Sequence, residues 1–291
     1  MERTRRDISR VEHYWRLYRR DKIAVVALLY IILIILVAIL APLITRFPPL
    51  LTGAGPSFTP PNAQHLMGTD DLGRDIFSGV IYGARVSMGV GFVAAVGSSL
   101  VGLLIGIVAA YYGRIYDTVL MRITEIFFVI PMVFLAILLV AFFGSSIWNV
   151  IFVIIILSWP TTARLVRGQV LALKERDFVK ASKALGEHGF YIMFIEILPN
   201  TLAPIIVNGS IEVARAIVVE AGLSFLGLGD PDLTSWGIML YKSQRFLVQQ
   251  IWWTFSFPGA ALFFTVLSLN VIADTLNTIL NPRTRHKLVR P

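Results

Sequence analysis

Residues 177–204 read DFVKASKALGEHGFYIMFIEILPNTLAP, a polar stretch that lies between two long apolar runs of the chain. Its first half carries small side chains on one surface and two lysines that keep this surface hydrated: Ala181, Ser182, Ala184, Gly186, Lys180 and Lys183. Small side chains let another protein approach closely without meeting bulk. We therefore interpret this segment as a docking surface and not as part of a core.

The composition of the chain indicates a membrane protein. Of 291 residues, 56% are hydrophobic and only 15% are charged, which is too apolar for an ordinary soluble domain. A membrane-spanning helix needs about 20 mostly apolar residues. The chain has six windows of this kind, Ile23–Ile44, Val86–Tyr111, Met121–Phe143, Ile147–Val166, Leu202–Gly229 and Phe257–Leu280. Six buried core helices of this length do not fit a soluble chain of this size, so we predict an all-α membrane protein with six transmembrane helices.

The distribution of Lys and Arg predicts the orientation of these spans. Twenty of the 26 basic residues fall in the N-terminal tail, the 111–122 turn, the 164–183 loop and the C-terminal tail. Because cytoplasmic loops retain positive charge, both termini are expected in the cytoplasm. The net charge of +8 lies beside spans and not over a soluble face, so it indicates contact with the lipid bilayer and anionic lipids, and no nucleic-acid partner is expected.

These patterns divide the chain into predicted regions. They are a cytoplasmic N-terminal tail (1–22), a first transmembrane helix (23–45), an extracytoplasmic segment (46–84), a transmembrane domain (85–280) with a cytoplasmic loop (171–199) and an extracytoplasmic segment (230–256), and a cytoplasmic C-terminal tail (281–291). The N-terminal apolar run is too long for a cleaved signal peptide, so we expect it to remain as an anchor. In the second span, small residues such as Gly102 and Gly106 recur every four positions, which permits close helix packing.

The sequence lacks the residues that several classes of chemistry require. The chain has no cysteine, and its four histidines are not spaced to share a helical face, so no metal site is expected. There is no G-x-x-x-x-G-K-[ST] loop to hold nucleotide phosphates. We also find no Ser/His/Asp or paired-carboxylate constellation, so an intramembrane enzyme is not favoured. We expect this chain to bind no cofactor itself, and any ATP and Mg²⁺ to be bound by another subunit.

Both predicted extracytoplasmic segments leave alternatives open. In the first, Asp70, Asp71 and Asp75 stand beside Arg74, which is typical of a solvated acidic loop capping the next helix. A calcium site is disfavoured because the spacing lacks alternating oxygen ligands. In the second, the tryptophans indicate either an interfacial aromatic belt or a partly re-entrant element that meets a solute-binding protein, and we favour a combination of the two: Trp236, Trp252 and Trp253.

Four blocks of the sequence resemble one known family. They are residues 65–75 with YGARVS (82–87), the docking segment itself, EAGLSFLGLGDPDLTSWGIML (220–240), and FPG (257–259) with LSLNVIADTLNTILNPR (267–283). In this order they are similar to permease subunits of ABC importers of the dipeptide and oligopeptide (peptide/nickel) family, second permease type. One departure is Lys180, where the E-A-A loop of that family carries an acidic residue.

The resemblance implies a type I ABC importer permease fold in the cell (inner) membrane, with no catalytic residue. It implies half of a translocation path for di- or oligopeptides, completed by a homologous second permease, two ATPase subunits and an extracytoplasmic solute-binding protein. The same machine carrying oligosaccharides or nickel is the alternative. The resemblance assigns the ATPase-coupling role to residues of the docking segment, namely Asp177, Phe178, Lys180, Ala181, Ser182, Ala184, Leu185, Gly186, Leu198 and Pro199, with Phe190 as a further apolar anchor. A short helix at about 177–186, ended by Gly186, is expected there.

Polar residues inside the fifth predicted span form a second candidate site. They are Asn208, Glu212, Arg215 and Glu220. Glu212 and Arg215 are three residues apart and can pair on one helix face. Charge at membrane depth is costly, which leaves two interpretations of this face. It borders the translocation path or the partner permease, or its charges form an internal ion pair that only fixes helix packing. An ion-coupled secondary transporter that uses these charges is the alternative of another class, although it has no need of the docking segment and we find no internal repeat.

Overall fold

A computed structural model describes residue 12 and residues 14–280, so most of the predicted N-terminal tail and all of the C-terminal tail 281–291 lie outside the described residues. Within the described residues the fold is all-helical apart from one isolated bridge between Thr69 and Asp75. The longer helices are α1 (Lys22–Ile39), α2 (Ile76–Tyr112), α3 (Arg114–Val129), α4 (Met132–Phe143), α5 (Ile147–Lys174), α6 (Asp177–Ala184), α7 (Leu198–Phe225), α8 (Trp236–Ser243) and α9 (Trp253–Leu280).

The spans agree with the prediction except at the third. Helices α1, α2, α5 and α9, and the helical stretch 189–225 that ends with α7, are each long and apolar enough to cross a membrane. The third window, predicted as one helix over Met121–Phe143, is instead broken into α3 and α4, which are bent by 90°. The break falls at Ile130 and Pro131, because proline lacks the N–H that would continue the helix and disfavours helical geometry in the residue before it. Helices α3 and α4 make a sixth span only if the two are counted together as one broken span.

Several predicted boundaries are wrong because helices extend beyond the most apolar residues. The segment predicted as 46–84 ends at Asp75, since α2 already begins at Ile76. The first span, predicted as 23–45, divides at Leu40 into α1 and a single turn. The loop predicted as 171–199 is mostly helical, because α5 continues to Lys174 and helical structure resumes at Gly189. The segment predicted as 230–256 contains α8 and a 3₁₀ helix, and α9 begins within it. Polar or small residues extend α2, α5 and α9 beyond the bounds that apolar length alone predicts, whereas the first span divides within an apolar run next to Pro42.

The helices divide into two compact units. The first comprises residues 1–88 and 232–291, and in its described part α1 packs along α9. Tyr30 donates a hydrogen bond to the Ala261 carbonyl at 3.4 Å. Asp21 caps α1 by accepting two backbone N–H bonds at 3.0 and 3.1 Å, and its second oxygen accepts from Thr275 at 3.2 Å. Polar contacts therefore add to apolar packing at the start and near the middle of α1.

The second unit comprises residues 89–231 and depends on close packing around the glycines of α2. A Cβ atom at Gly102 would lie 2.6 Å from the carbonyl oxygen of Trp159 in α5. A Cβ atom at Gly106 would lie 2.5 Å from the carbonyl oxygen of Ala163 in the same helix. Only glycine allows this approach, which confirms the close packing predicted from four-residue spacing. The position of α5, which leads to the docking segment, is thus fixed by α2.

Candidate functional site

The predicted docking helix is present as α6, Asp177–Ala184. It ends in a Schellman motif: the Glu187 N–H bonds the Ser182 carbonyl and the Gly186 N–H bonds the Lys183 carbonyl, each at 3.1 Å. Gly186 adopts φ +80°, a left-handed conformation that favours glycine. The predicted helix stop is therefore confirmed. At its start no side chain caps the helix, and Asp177 is its first residue.

The outward surface of α6 and of the residues after it combines small residues and charged side chains with a few large apolar ones. Leu185 is 83% exposed and Phe190 is 69% exposed, while Phe178 is exposed to a smaller degree. The other predicted coupling residues of this stretch, Asp177, Lys180, Ala181, Ala184 and Gly186, are also exposed, and Ser182 is half-buried. Two large apolar side chains held in solvent around small residues form a surface suited to contact with another protein.

Val179 anchors α6 to the second unit, and sequence reasoning missed it. Its side chain is fully buried, the one such residue of α6. It belongs to an apolar cluster drawn from α2, α5, the π-helical turn Ile192–Ile197 and α7, whose buried members are Ile107, Ala110, Val166, Val170, Val179, Ile192, Met193, Ile197 and Ile205. The short helix thus exposes one face while the other is held by a core that several long helices share.

Polar contacts of α6 are weaker than this apolar anchor. Lys180 and Glu175 are 3.9 Å apart and both well exposed, so their ion pair contributes little. The Lys183 ammonium lies 5.7 Å from the centre of the Tyr111 ring at the end of α2. A Cβ at Gly189 would lie 3.1 Å from the same ring, so Tyr111 packs against the chain on both sides of the turn.

Leu198 and Pro199, predicted to mark re-entry into the next span, begin α7 but do not begin the helical path. A short helix and the π-helical turn Ile192–Ile197 precede them, so helical structure is continuous over 189–225. Pro199 comes just after the π-helical turn, so the N–H that it lacks is missing from inside this continuous helical stretch. The π turn buries Ile192 and Ile197, which joins α6 directly to the beginning of the span.

The polar residues of α7 do not form one constellation. Arg215 donates to Glu212 at 3.1 Å, which confirms the predicted pair. The Glu212 carboxylate is buried, whereas the Arg215 side chain is 46% exposed. Glu220 accepts a hydrogen bond from Ser224 at 2.8 Å, and Asn208 donates to Thr162 of α5 at 3.0 Å. All four predicted residues therefore have partners inside the second unit, and among them only the Arg215 side chain is exposed.

Residues 53–75 of the first unit form a compact segment, which we call the knot for its close internal contacts. The His65 Nδ1 and Asp75 Oδ1 atoms are 2.9 Å apart and both residues are buried. The second Asp75 oxygen accepts from the backbone N–H and the hydroxyl of Ser78, each at 2.8 Å, which confirms that an acidic residue caps the second span. Asp70 instead pairs with Arg74. Within residues 12 and 14–280, no group of three His, Asp or Glu side chains is arranged to hold a metal ion.

Two of the three tryptophans predicted to form a belt or a docking element are buried in this unit. Trp236 is fully buried and donates to the Val80 carbonyl at 2.9 Å. Trp253 donates to the Thr69 carbonyl at 3.0 Å. Only Trp252 is exposed, at 56%. The aromatic pattern therefore reflects mainly a core that ties α8 and α9 to the knot, and the belt interpretation is wrong for Trp236 and Trp253.

Comparison with known proteins agrees with this architecture. Residues 102–286 match the family described as binding-protein-dependent transport system inner membrane component. Residues 9–70 match the N-terminal TM domain of oligopeptide transport permease C. The solved methionine ABC transporter MetNI, in inward-facing conformations, aligns over 73% of this chain and 97% of its own with a TM-score of 0.55. At 19% sequence identity this similarity concerns the fold.

Curated relatives are closer in sequence. The dipeptide transport system permease protein DppC of Alkalihalophilus pseudofirmus is 42% identical over 91% of this chain and 87% of its own length. The oligopeptide transport system permease protein OppC of Bacillus subtilis is 39% identical over 92% and 88%. Fold and sequence together define an inner-membrane component of a binding-protein-dependent importer. The chain belongs to the family of ABC importer permease subunits that includes DppC and OppC. It is accordingly a multi-pass membrane protein whose family works with ATPase and binding-protein partners.

Proposed function

We propose that this chain forms half of the translocation path of an importer for di- and oligopeptides delivered by a solute-binding protein. The relatives named as dipeptide and oligopeptide permeases support the cargo class. The observation that carries the mechanism is the geometry of α6, which exposes Leu185 and Phe190 while burying Val179 in the core of the second unit. A partner that binds such a helix can displace it, and the helix can transmit this displacement to the membrane-spanning helices.

The proposed assembly contains one copy of this chain, a homologous second permease and two ATPase subunits. This chain supplies no catalytic residue and binds no cofactor, since its sequence has no phosphate-binding loop, and ATP and Mg²⁺ belong to the ATPase subunits. Both termini face the cytoplasm in this proposal, because most Lys and Arg residues flank the same ends of the spans. The surface of α6 then lies on the side where ATP is available.

Coupling is proposed to run through continuous helical structure. An ATPase groove would hold Leu185, Phe190 and the small residues between them. Closure of the two ATPases around nucleotide would displace α6, and the buried Val179 would transmit this displacement to α5 and to the π-helical turn. Packed apolar side chains are suited to this because a dense core transmits a displacement instead of absorbing it.

Arg215 is the residue of α7 that we propose to face the path or the second permease. Its side chain is half exposed at a position inside a membrane-spanning helix, where an unpaired charge is costly. Glu212 offsets part of this cost from the buried side. A water-filled path or a polar partner surface would offset the rest. Asn208, Glu212 and Glu220 are proposed to support the position of this face from within.

The docking proposal is tested by enlarging Gly186. A Cβ atom there meets nothing within 4 Å in this chain, so the position is open on the surface that a partner would contact. Gly186→Trp is expected to retain the membrane complex but to separate ATP hydrolysis from uptake in proteoliposomes. Gly186→Ala is the matched control, because it has the same backbone strain without the bulk. Normal coupled uptake by Gly186→Trp would reject the docking role of α6.

The cargo is tested separately with the complete importer in proteoliposomes. ATP-dependent uptake of a labelled dipeptide or oligopeptide is expected, and competition by nickel or an oligosaccharide is expected to be absent. Uptake of nickel or an oligosaccharide in place of peptide would retain the mechanism but change the cargo. Accumulation driven by a proton or sodium gradient with the ATPases omitted would instead reject the importer mechanism.

A further inference from the structure

An apolar groove lies in the first unit between the start of the described chain and the end of α9. It has a volume of about 400 Å³. Its walls are aromatic on one side and aliphatic on the other, and consist of Tyr14, Trp15, Tyr18, Leu28, Ile272, Leu276, Ile279 and Leu280. We call it the aromatic groove. Almost none of its surface is polar, so water gains little by filling it.

The aromatic groove lies at the level where the membrane-spanning part of the first unit begins. The aromatic side belongs to helical residues 14–18, which directly precede the apolar helix α1, and the aliphatic side belongs to the last turns of α9. Tyr and Trp prefer this boundary, because their rings are amphipathic. An apolar cavity that opens here faces the region where phospholipid head groups join their acyl chains.

Positive charge lies beside the aromatic wall, where Arg16 and Arg19 line a neighbouring depression on the other side of Trp15. Four basic side chains occupy the short stretch 16–22, namely Arg16, Arg19, Arg20 and Lys22. The Arg19 guanidinium lies over the Trp15 ring, 4.9 Å from its centre, and the Trp15 ring stacks with that of Tyr18. Two carboxylates lie near these four cations, since Glu12 lines the same depression as Arg16 and Arg19. The other, Asp21, is used to cap α1 and to accept from Thr275. It forms no ion pair with these cations.

We propose that the aromatic groove binds an anionic phospholipid, with its acyl chains against Leu276 and Ile279 and its phosphate between Arg16 and Arg19. Apolar walls suit the chains, and two guanidinium groups suit a phosphate because each presents several N–H donors in a planar arrangement. An anionic lipid is favoured over a zwitterionic one because choline or ethanolamine would bring a further positive charge next to this cluster. Bound there, the lipid would join the start of α1 to the end of α9.

Trp15 provides a direct measurement of this binding. The complete importer is reconstituted in nanodiscs of zwitterionic lipid containing a fixed fraction of either brominated phosphatidylglycerol or brominated phosphatidylcholine, since bromine quenches nearby tryptophan fluorescence. The contribution of Trp15 is the difference between the unmodified importer and its Trp15→Phe variant. We expect this contribution to be quenched with an apparent preference for the anionic lipid of about fivefold for each of the two arginines that contact the phosphate.

Arg16→Gln combined with Arg19→Gln is expected to remove this preference while leaving Trp15 in place. Arg245→Gln is the matched control, because Arg245 is exposed on a different part of the first unit. Size-exclusion chromatography establishes that each variant still assembles. The readout needs neither ATP nor uptake, so it is independent of the transport proposal.

Three results would overturn the proposal. Equal quenching by both brominated lipids would indicate ordinary bilayer contact. A preference that survives the double arginine variant would place the anionic lipid elsewhere. Absence of quenching by either lipid would indicate that protein covers the groove, either a partner subunit or residues 281–291 of this chain.

Discussion

Arg167 of α5 donates two hydrogen bonds to Asp117 of α3, at 2.5 Å from Nε and 2.7 Å from Nη2. The two residues are 50 positions apart in sequence, and both lie within residues 102–286, the range that matches the importer family. Their paired geometry fixes the orientation of both helices, because the planar guanidinium matches the two carboxylate oxygens. Since α5 continues to the turn before α6, this contact also sets the direction from which α6 is presented.

Asp117→Asn is expected to lower the stability of the assembled importer by about 1 kcal/mol, a value limited by partial solvent exposure of the pair. Thermal unfolding of the purified complex measures this change. The exchanged pair Asp117→Arg with Arg167→Asp is expected to recover part of the loss, whereas either single exchange is more harmful. If the double exchange is no better than the single ones, the two side chains do not depend on each other.

Val179→Ala is expected to weaken coupling while leaving the docking surface unchanged. The substitution removes two buried carbon atoms, which lowers the free energy of unfolding by about 2 kcal/mol. The resulting cavity loosens the contact between α6 and the core. Uptake per ATP hydrolysed should therefore fall, although the ATPases still copurify. Leu185→Ala is the contrasting variant, because Leu185 is exposed and its loss should reduce copurification of the ATPases. Unchanged uptake per ATP in Val179→Ala would show that this anchor does not transmit motion.

The bounds of α6 could be predicted from sequence because their signals are local. A polar segment between apolar runs and a glycine after the last turn are sufficient to locate a short surface helix and its end. The buried role of Val179 could not be predicted, because a single valine in a polar helix carries no periodicity. Its burial depends on Val170 and Ile197, which lie in other helices.

Other differences between sequence and structure have the same origin. Hydropathy recognises apolar length, so it assigned one helix where Pro131 separates two. It also started the second span too late, because the Asp75 cap and the small residues after Ile76 lower the local hydropathy. Trp236 was expected near an interface because tryptophan is common there, whereas a hydrogen bond to the Val80 carbonyl holds it in the core. Partners distant in sequence decide each of these cases.

We predict that the free energy of unfolding depends on pH through Lys242 of α8. Burial, and then the charge of Arg74, lower the pKa of Lys242 below its usual 10.5, against a smaller opposing effect of Asp70 and Asp71. The unfolded chain therefore binds more protons than the folded chain between the lowered pKa and 10.5, and folding becomes more favourable as the pH rises through that window. The charged form of Lys242 costs stability at lower pH.

Lys242→Met is expected to remove this cost, so its melting temperature should exceed that of the unmodified importer most at neutral pH and least at high pH. Thermal unfolding at several pH values between neutral and about 10 measures the difference. Lys183→Met is a control, because Lys183 is exposed on the other unit. A difference that grows with rising pH would contradict the lowered pKa.

Asp75→Ala is expected to open the knot of residues 53–75. The substitution removes a helix cap, at a cost of about 1 kcal/mol, and leaves the buried His65 without its partner, at a further cost of about 1–3 kcal/mol. Limited proteolysis of the importer in proteoliposomes should then cut within the knot, where the unmodified chain is resistant. Asp71→Ala is the matched control, since Asp71 has only a 3.5 Å contact with Arg74 and its loss should leave the cleavage pattern unchanged. Equal resistance of both variants would mean that the backbone bonds of the knot hold it closed without the His65–Asp75 contact.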